Sequence, residues 1–196
     1  MFHSSGVYSV RSFYAIVNNR GVIPVHSPAV WNLRVPPRLH IFLWLLSKNK
    51  LLTRDNLAKR RHVEDASCVF CSEPESCSHL FFDCFVAKLI WPIISDIIGV
   101  QVGVSFESVA RWWISEKRNS LINTVCTAVL WAIWKLRNEI CFQGKVWPGV
   151  HDIWRRVASD LELWKILSSD AVSELLSRNA QLLNKMRGDV LRIAWK

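Results

Sequence analysis

The first 54 positions of this 196-residue chain hold no Asp or Glu; the first acidic residue is Asp55. Glycine and proline number only 7 each, which excludes a collagenous or low-complexity chain. No internal repeat and no Gly/Ser linker is found. No apolar run reaches the roughly 20 residues that a membrane span needs. The longest charge-free apolar stretch, Ser120 to Trp134, is 15 residues long and contains Asn123, so it reads as a buried core helix. Six cysteines are too sparse for a secreted disulfide scaffold, and no secretory signal opens the chain, so a reducing compartment is expected. Alternation of apolar and polar residues never lasts beyond a few positions, which leaves little room for strands. Catalytic signatures are missing too: there is no G-x-x-x-x-G-K-[ST], no H-E-x-x-H, no G-x-S-x-G and no Asp-Asp pair for two-metal chemistry. A non-enzymatic protein is expected.

What is present is apolar and basic. Hydrophobic residues make up 51%, Trp alone numbers 11, and the formal net charge is +9. That is ample apolar surface to offset chain entropy, for one or two small domains. Charge divides the chain into three: residues 1–67 carry a net of +7, residues 68–100 a net of −3, and residues 101–196 a net of +5. Two domains are expected, over 1–100 and 101–196.

The periodicity predicts a mainly α fold. Val7, Val10, Tyr14 and Val17 recur at helical spacing until Asn18-Asn19-Arg20-Gly21. Pro36-Pro37 forces extended backbone ahead of a helix over Leu39 to Leu46. Thr53 is placed to cap a helix from Arg54 to Arg61. Ser78 to Ile98 reads as a helix that Pro92 should kink or split near Trp91. A short helix over Ser105 to Trp113 leads to a long one ending near Gly144. Pro148 suits the first turn of a helix to about Leu167, and a last helix covers Ala171 to Asp189. Short helices around a small knuckle, then a C-terminal bundle of longer helices, are the expected architecture.

The knuckle is Cys68, Cys71, His79 and Cys84, spaced C-x2-C-x7-H-x4-C. Zn2+ is held by four such soft or borderline ligands in a tetrahedron. Cys-x-x-Cys lets two thiolates meet one ion across a tight turn, and His79 and Cys84 follow from the start of a helix, nearly on one face. Three Cys and one His fill every position, so the expected site is structural and not catalytic. Two other readings stay open: Cys68–Cys71 as a redox pair, or four unrelated buried residues. Cys77 is a spare thiol that could replace His79, although it would shorten the loop. Cys126 and Cys141 read as core. Phe70, Phe81 and Phe82 either stack on unpaired bases, as aromatics of small zinc knuckles do, or pack the knuckle on its neighbours together with Leu80 and Phe85.

These residues also resemble a known family. Gly6-Val7-Tyr8-Ser9-Val10-Arg11-Ser12-Phe13-Tyr14, Trp31, Val35-Pro36-Pro37-Arg38, Phe42-Leu43-Trp44 and Leu51-Leu52-Thr53-Arg54-Asp55-Asn56-Leu57 come in order before the cysteines. His79-Leu80-Phe81-Phe82, Ala87 and Trp91 follow, then Trp131-Ala132-Ile133-Trp134-Lys135 and Arg137-Asn138. Over about residues 6–145 the chain is similar to the zinc-binding region of plant LINE-type (non-LTR) reverse transcriptases, which lies between their polymerase and ribonuclease H parts. The resemblance implies a zinc site and a nucleic-acid-binding role. With neither catalytic part recognisable, a fragment of an element or a host gene derived from one is expected.

The expected partner is RNA or DNA, bound without sequence preference through phosphates at Lys48, Lys50, Arg54, Lys59, Arg60 and Arg61. The same run reads equally as a solvated helix face. The rival expectation is a protein-interaction module, or self-association, through a Trp-rich apolar surface. Lys59-Arg60-Arg61-His62 is a weak nuclear-import-like patch, so nucleus or cytoplasm is expected. The basic, Ser-containing N-terminus makes a mitochondrion the minority expectation.

Overall fold

The computed structural model describes residues 27–147 and 149–186. Among these the chain is helical, with no strand; the one β-type pairing is an isolated bridge between Ser67 and Pro74. The expected helix over residues 7–17 lies outside the described residues, as do Pro148 and the end of the last expected helix.

Among the described residues seven α-helices follow in order: α1 Pro37–Ser47, α2 Arg54–Ala58, α3 Phe85–Ile98, α4 Phe106–Ala110, α5 Glu116–Gln143, α6 Val150–Trp164 and α7 Asp170–Met186. Pro36 sits in the extended region (φ −54°, ψ 142°) and Pro37 opens α1, where a missing N–H costs nothing. Leu39, Phe42, Leu43 and Leu46 then fall on one face and are buried. Ser105 and Ser108 close a reciprocal cap at the start of α4. Gly144, left-handed at φ 66°, ends α5.

α5 is the centre of the molecule. Its residues 123–130 are all buried, and so are Ala132, Ile133 and Leu136. A helix apolar on every side must be covered on every side. α1 and the turn after Cys77 cover part of it; α6 and α7 pack in succession on the rest. One continuous apolar core runs from Ala29 to Leu183.

Three expectations fail here. α2 stops at Ala58, so Lys59, Arg60 and Arg61 stand in the turn beyond it. Thr53 is at the cap position with extended backbone, but its hydroxyl bonds Asp55 (2.5 Å) instead of a backbone N–H. Pro92 does not split α3, which runs unbroken from Phe85 to Ile98. Pro92 lies on the exposed side of the helix, as does Lys88, whose carbonyl has no N–H from Pro92 to accept. The break falls at Cys84 instead (φ −59°, ψ 144°).

Candidate metal centre

The loop from Ala66 to Glu75 folds on itself before it meets anything else. The N–H of Cys68 donates to the carbonyl of Glu73 (2.7 Å), that of Cys71 to Cys68 (3.3 Å), and that of Glu75 to Ala66 (2.8 Å). This small hairpin turns both thiols to one side.

His79 to Asp83 form a single wide turn in which the N–H of Cys84 donates to the carbonyl of His79 (2.7 Å), a five-residue closure. The expectation of one regular helix face is corrected here. Residues five apart on an α-helix point about 140° away from each other. The wider turn brings them to the same side, a known use of such bulges at functional sites.

The four donor atoms of Cys68, Cys71, His79 and Cys84 all lie within 4.8 Å of one another. Cys68 Sγ is 3.9 Å from Cys84 Sγ, Cys84 Sγ is 3.8 Å from Cys71 Sγ, and Cys71 Sγ is 3.1 Å from His79 Nε2. A zinc–thiolate bond of about 2.3 Å gives a tetrahedron with S···S edges of about 3.8 Å, so the donors fit that ion. Cys68 and Cys84 are buried, while Cys71 and His79 are half-buried. The hydrogen bond between Cys68 and Cys84 raises the Cys68 thiol, helped by burial, and the same bond lowers Cys84. The N–H of Val86 in the first turn of α3 also favours the Cys84 thiolate.

Cys77 stays outside this set. It is buried beside the Thr53 hydroxyl (3.6 Å), and burial pushes its thiol up to about 11. Cys126 is core, with its thiol pushed up to about 12 by burial. Cys141, expected in the core, is half-exposed instead, on a groove it shares with Arg54, Arg61, His62 and Phe142.

The aromatics around the ligands separate into two groups. Phe81 and Phe82 are buried: Phe81 meets Phe42 and Trp134, and Phe82 stacks on Trp91 at 5.9 Å and 15°. Trp91 Nε1 donates to the carbonyl of Phe81 (2.6 Å), and Gly103 lies against the same indole, where a Cβ would come within 2.0 Å of the ring. The wide turn is thus gripped from α3. Phe70 is half-buried against Trp147 (4.8 Å). Phe85, expected to pack, is 66% exposed.

No local pattern in the sequence marks the pair that ties the knuckle to α5. Glu75, between Cys71 and His79, meets Arg137 through two hydrogen bonds, Nη2 to Oε1 (2.7 Å) and Nε to Oε2 (3.1 Å). Both side chains are fully buried. The backbone N–H of Arg54 also donates to Glu75 Oε1 (2.8 Å). Arg137 is one of several charged residues of α5, and its local sequence does not set it apart.

Of the expected phosphate contacts, Lys48, Lys50, Lys59, Arg60 and Arg61 are exposed. Arg54 departs from the set: its guanidinium is mostly buried and forms an ion pair with Asp65. Lys59 reaches Asn56 Oδ1 (2.7 Å) and, loosely, Asp55 (3.9 Å).

Residues 8–91 match the family described as zinc-binding in reverse transcriptase. A protein of Arabidopsis thaliana that carries ribonuclease H in its name is 28% identical over 151 residues, covering 69% of this chain. The chain spans about a quarter (24%) of that relative's length. No solved structure matches. The matched segment contains all four candidate ligands, Glu75 and Trp91.

Proposed function

From residues 8–91 as a retrotransposon-type reverse-transcriptase zinc-binding region, we propose that the chain is a non-catalytic zinc module that binds RNA or DNA through phosphates. The observation that carries the zinc assignment is the closed donor set: three thiols and one imidazole within 4.8 Å fill every position of a tetrahedral ion. Such an ion supplies folding energy, of order 10 kcal/mol in small zinc peptides. One zinc per chain is expected from elemental analysis. Cys68→Ser or Cys84→Ser removes the ion and unfolds the knuckle, whereas Cys77→Ser leaves zinc content unchanged. Loss of zinc in Cys77→Ser with retention in His79→Ala refutes this ligand set.

Nucleic-acid binding is supported by the exposed cations Lys48, Lys50, Lys59, Arg60 and Arg61 beside the knuckle. The carbonyl of Leu57 accepts from the N–H groups of Arg60 (2.8 Å) and Arg61 (3.0 Å), which fixes their turn. Contacts to phosphate make binding salt-dependent and indifferent to sequence. The double change Arg60→Ala and Arg61→Ala should weaken binding to all single-stranded sequences alike and lower the salt slope by about 1.4. Absence of binding to single-stranded RNA at low salt refutes this reading.

A second reading, a protein-interaction surface, is favoured by a different observation. Ile114, Leu163 and Ile166 are 70%, 65% and 85% exposed. A monomer that does not bind an exposed-hydrophobe dye argues against it.

A further inference from the structure

α1 keeps one face in solvent, and that face is both aromatic and cationic. Ile41 and Trp44 are exposed on it, and Trp31, on the short turn before α1, is 53% exposed. The Trp31 ring lies 5.9 Å from the ring of His40, tilted by 53°. His40 Nε2 donates to the carbonyl of Leu33 (2.9 Å), which fixes the imidazole in place. His40, Trp44 and Lys48 follow at four-residue steps, so they stand one above another along the flank of α1. On the other flank the Arg38 guanidinium lies over the Trp131 ring at 5.8 Å.

Basic side chains predominate around these rings. Arg34, Arg38, Lys48 and Lys50 are exposed there, in a stretch of sequence without a single Asp or Glu. Two carboxylates approach from elsewhere. Glu116 accepts the backbone N–H of Arg34 (3.3 Å), and the buried Asp160 acts on Arg38 through space. Lys48 and Lys50 hold no ion pair among the described residues.

We propose that this face, Trp31–His40–Trp44 flanked by Arg34, Arg38, Lys48 and Lys50, is a stacking platform for the unpaired bases of single-stranded nucleic acid. It rests on the nucleic-acid reading above and adds to it the state of the strand and the residues that meet bases. An apolar protein surface has no use for a border in which cations predominate, whereas a polyanion with π-faces matches both features. The spacing selects single strands. The rings of Trp31 and His40, 5.9 Å apart and tilted by 53°, do not match the 3.4 Å step of parallel stacked bases in a duplex. Bases must leave the stack to lie on them.

The test titrates the zinc-loaded full chain with a mixed-sequence oligoribonucleotide about a dozen nucleotides long, and with the same strand annealed to its complement, over a range of salt. Trp31→Ala and Trp44→Leu are each expected to weaken single-strand binding about fivefold or more, the low end for one lost base stack. Their salt slope should not change, because no phosphate contact is lost. Trp44→Phe, which keeps a π-face, should retain most of the affinity, and duplex binding should be insensitive to all three. Lys48→Ala, by contrast, should lower the single-strand slope by about 0.7. If Trp44→Leu and Trp44→Phe bind single strands like the parent, the platform is overturned while phosphate binding stands. An equal loss on duplex overturns it as well. No binding of either probe at low salt removes the nucleic-acid reading itself, and the platform with it.

Discussion

Replacing Arg137 by Met tests the tie between the knuckle and the core. Arg137 donates to Glu75 through Nη2 and Nε, and Nη1 donates to Asn138 Oδ1 (3.0 Å). Its guanidinium also lies 5.4 Å from the Trp134 ring and 5.6 Å from that of Phe142. Both partners of the pair are fully buried, so Met leaves the Glu75 carboxylate with the backbone N–H of Arg54 alone. Removing one member of a buried pair costs about 3–5 kcal/mol, because the other charge remains out of water. That is a large share of the roughly 5–15 kcal/mol that holds a domain folded. Glu75→Leu should cost a comparable amount by stranding the arginine. The double variant Glu75→Leu with Arg137→Met should return to within about 1–2 kcal/mol of the parent, since no charge is then left unpaired. Urea unfolding of the zinc-loaded proteins measures all four corners of the cycle. Glu75 sits between Cys71 and His79, so the single variants should also release zinc faster to a chelator. A cost below about 1 kcal/mol for Arg137→Met, or a double variant as unstable as the sum of the singles, refutes the reasoning.

Three further outcomes are expected. Gly103→Val should destabilise the chain by about 2 kcal/mol or more, because φ is 80° there and a Cβ would stand 2.0 Å from Trp91; an unchanged melting temperature refutes it. Burial alone would raise the Asp152 carboxyl, but hydrogen bonds from Arg155, Arg156 and Lys145 outweigh it and hold the group below the usual carboxylate range. Its stabilisation is therefore present above the unfolded value near 3.9 and is lost as pH falls through and below it. Asp152→Asn should lower neutral-pH stability by about 1–2 kcal/mol and flatten the acid limb of a stability–pH curve; an identical acid limb refutes it. In a thiol-reagent assay of the zinc-loaded protein, Cys141 should react first of the six cysteines, since Cys77 and Cys126 are buried and the other three belong to the proposed ligand set. Cys141→Ser retaining a fast-reacting thiol would contradict the ligand set.

The sequence by itself determined what depends on neighbours along the chain. C-x2-C-x7-H-x4-C named the four donors that meet within 4.8 Å, because ligand type and loop length are local properties. Apolar residues at helical spacing marked α1, α5, α6 and α7, and Gly144 marked the end of α5, because a left-handed turn favours glycine. Tertiary structure decided whatever depended on a distant partner. Helix propensity carried the reading past Cys84 and on to Pro92. The wide turn at His79–Asp83 breaks it earlier, since His79 and Cys84 must face one point and Trp91 and Gly103 grip the residues between them. Arg54 looked like a free cation until Asp65, eleven residues on, took it into an ion pair. Phe85 looked like core, yet the break at Cys84 turns it to solvent, while its neighbours Phe81 and Phe82 are buried. Glu75 and Arg137 are 62 residues apart, and nothing in either local sequence names the other. The fold alone brings them together where both side chains are fully buried, and there each charge requires the other.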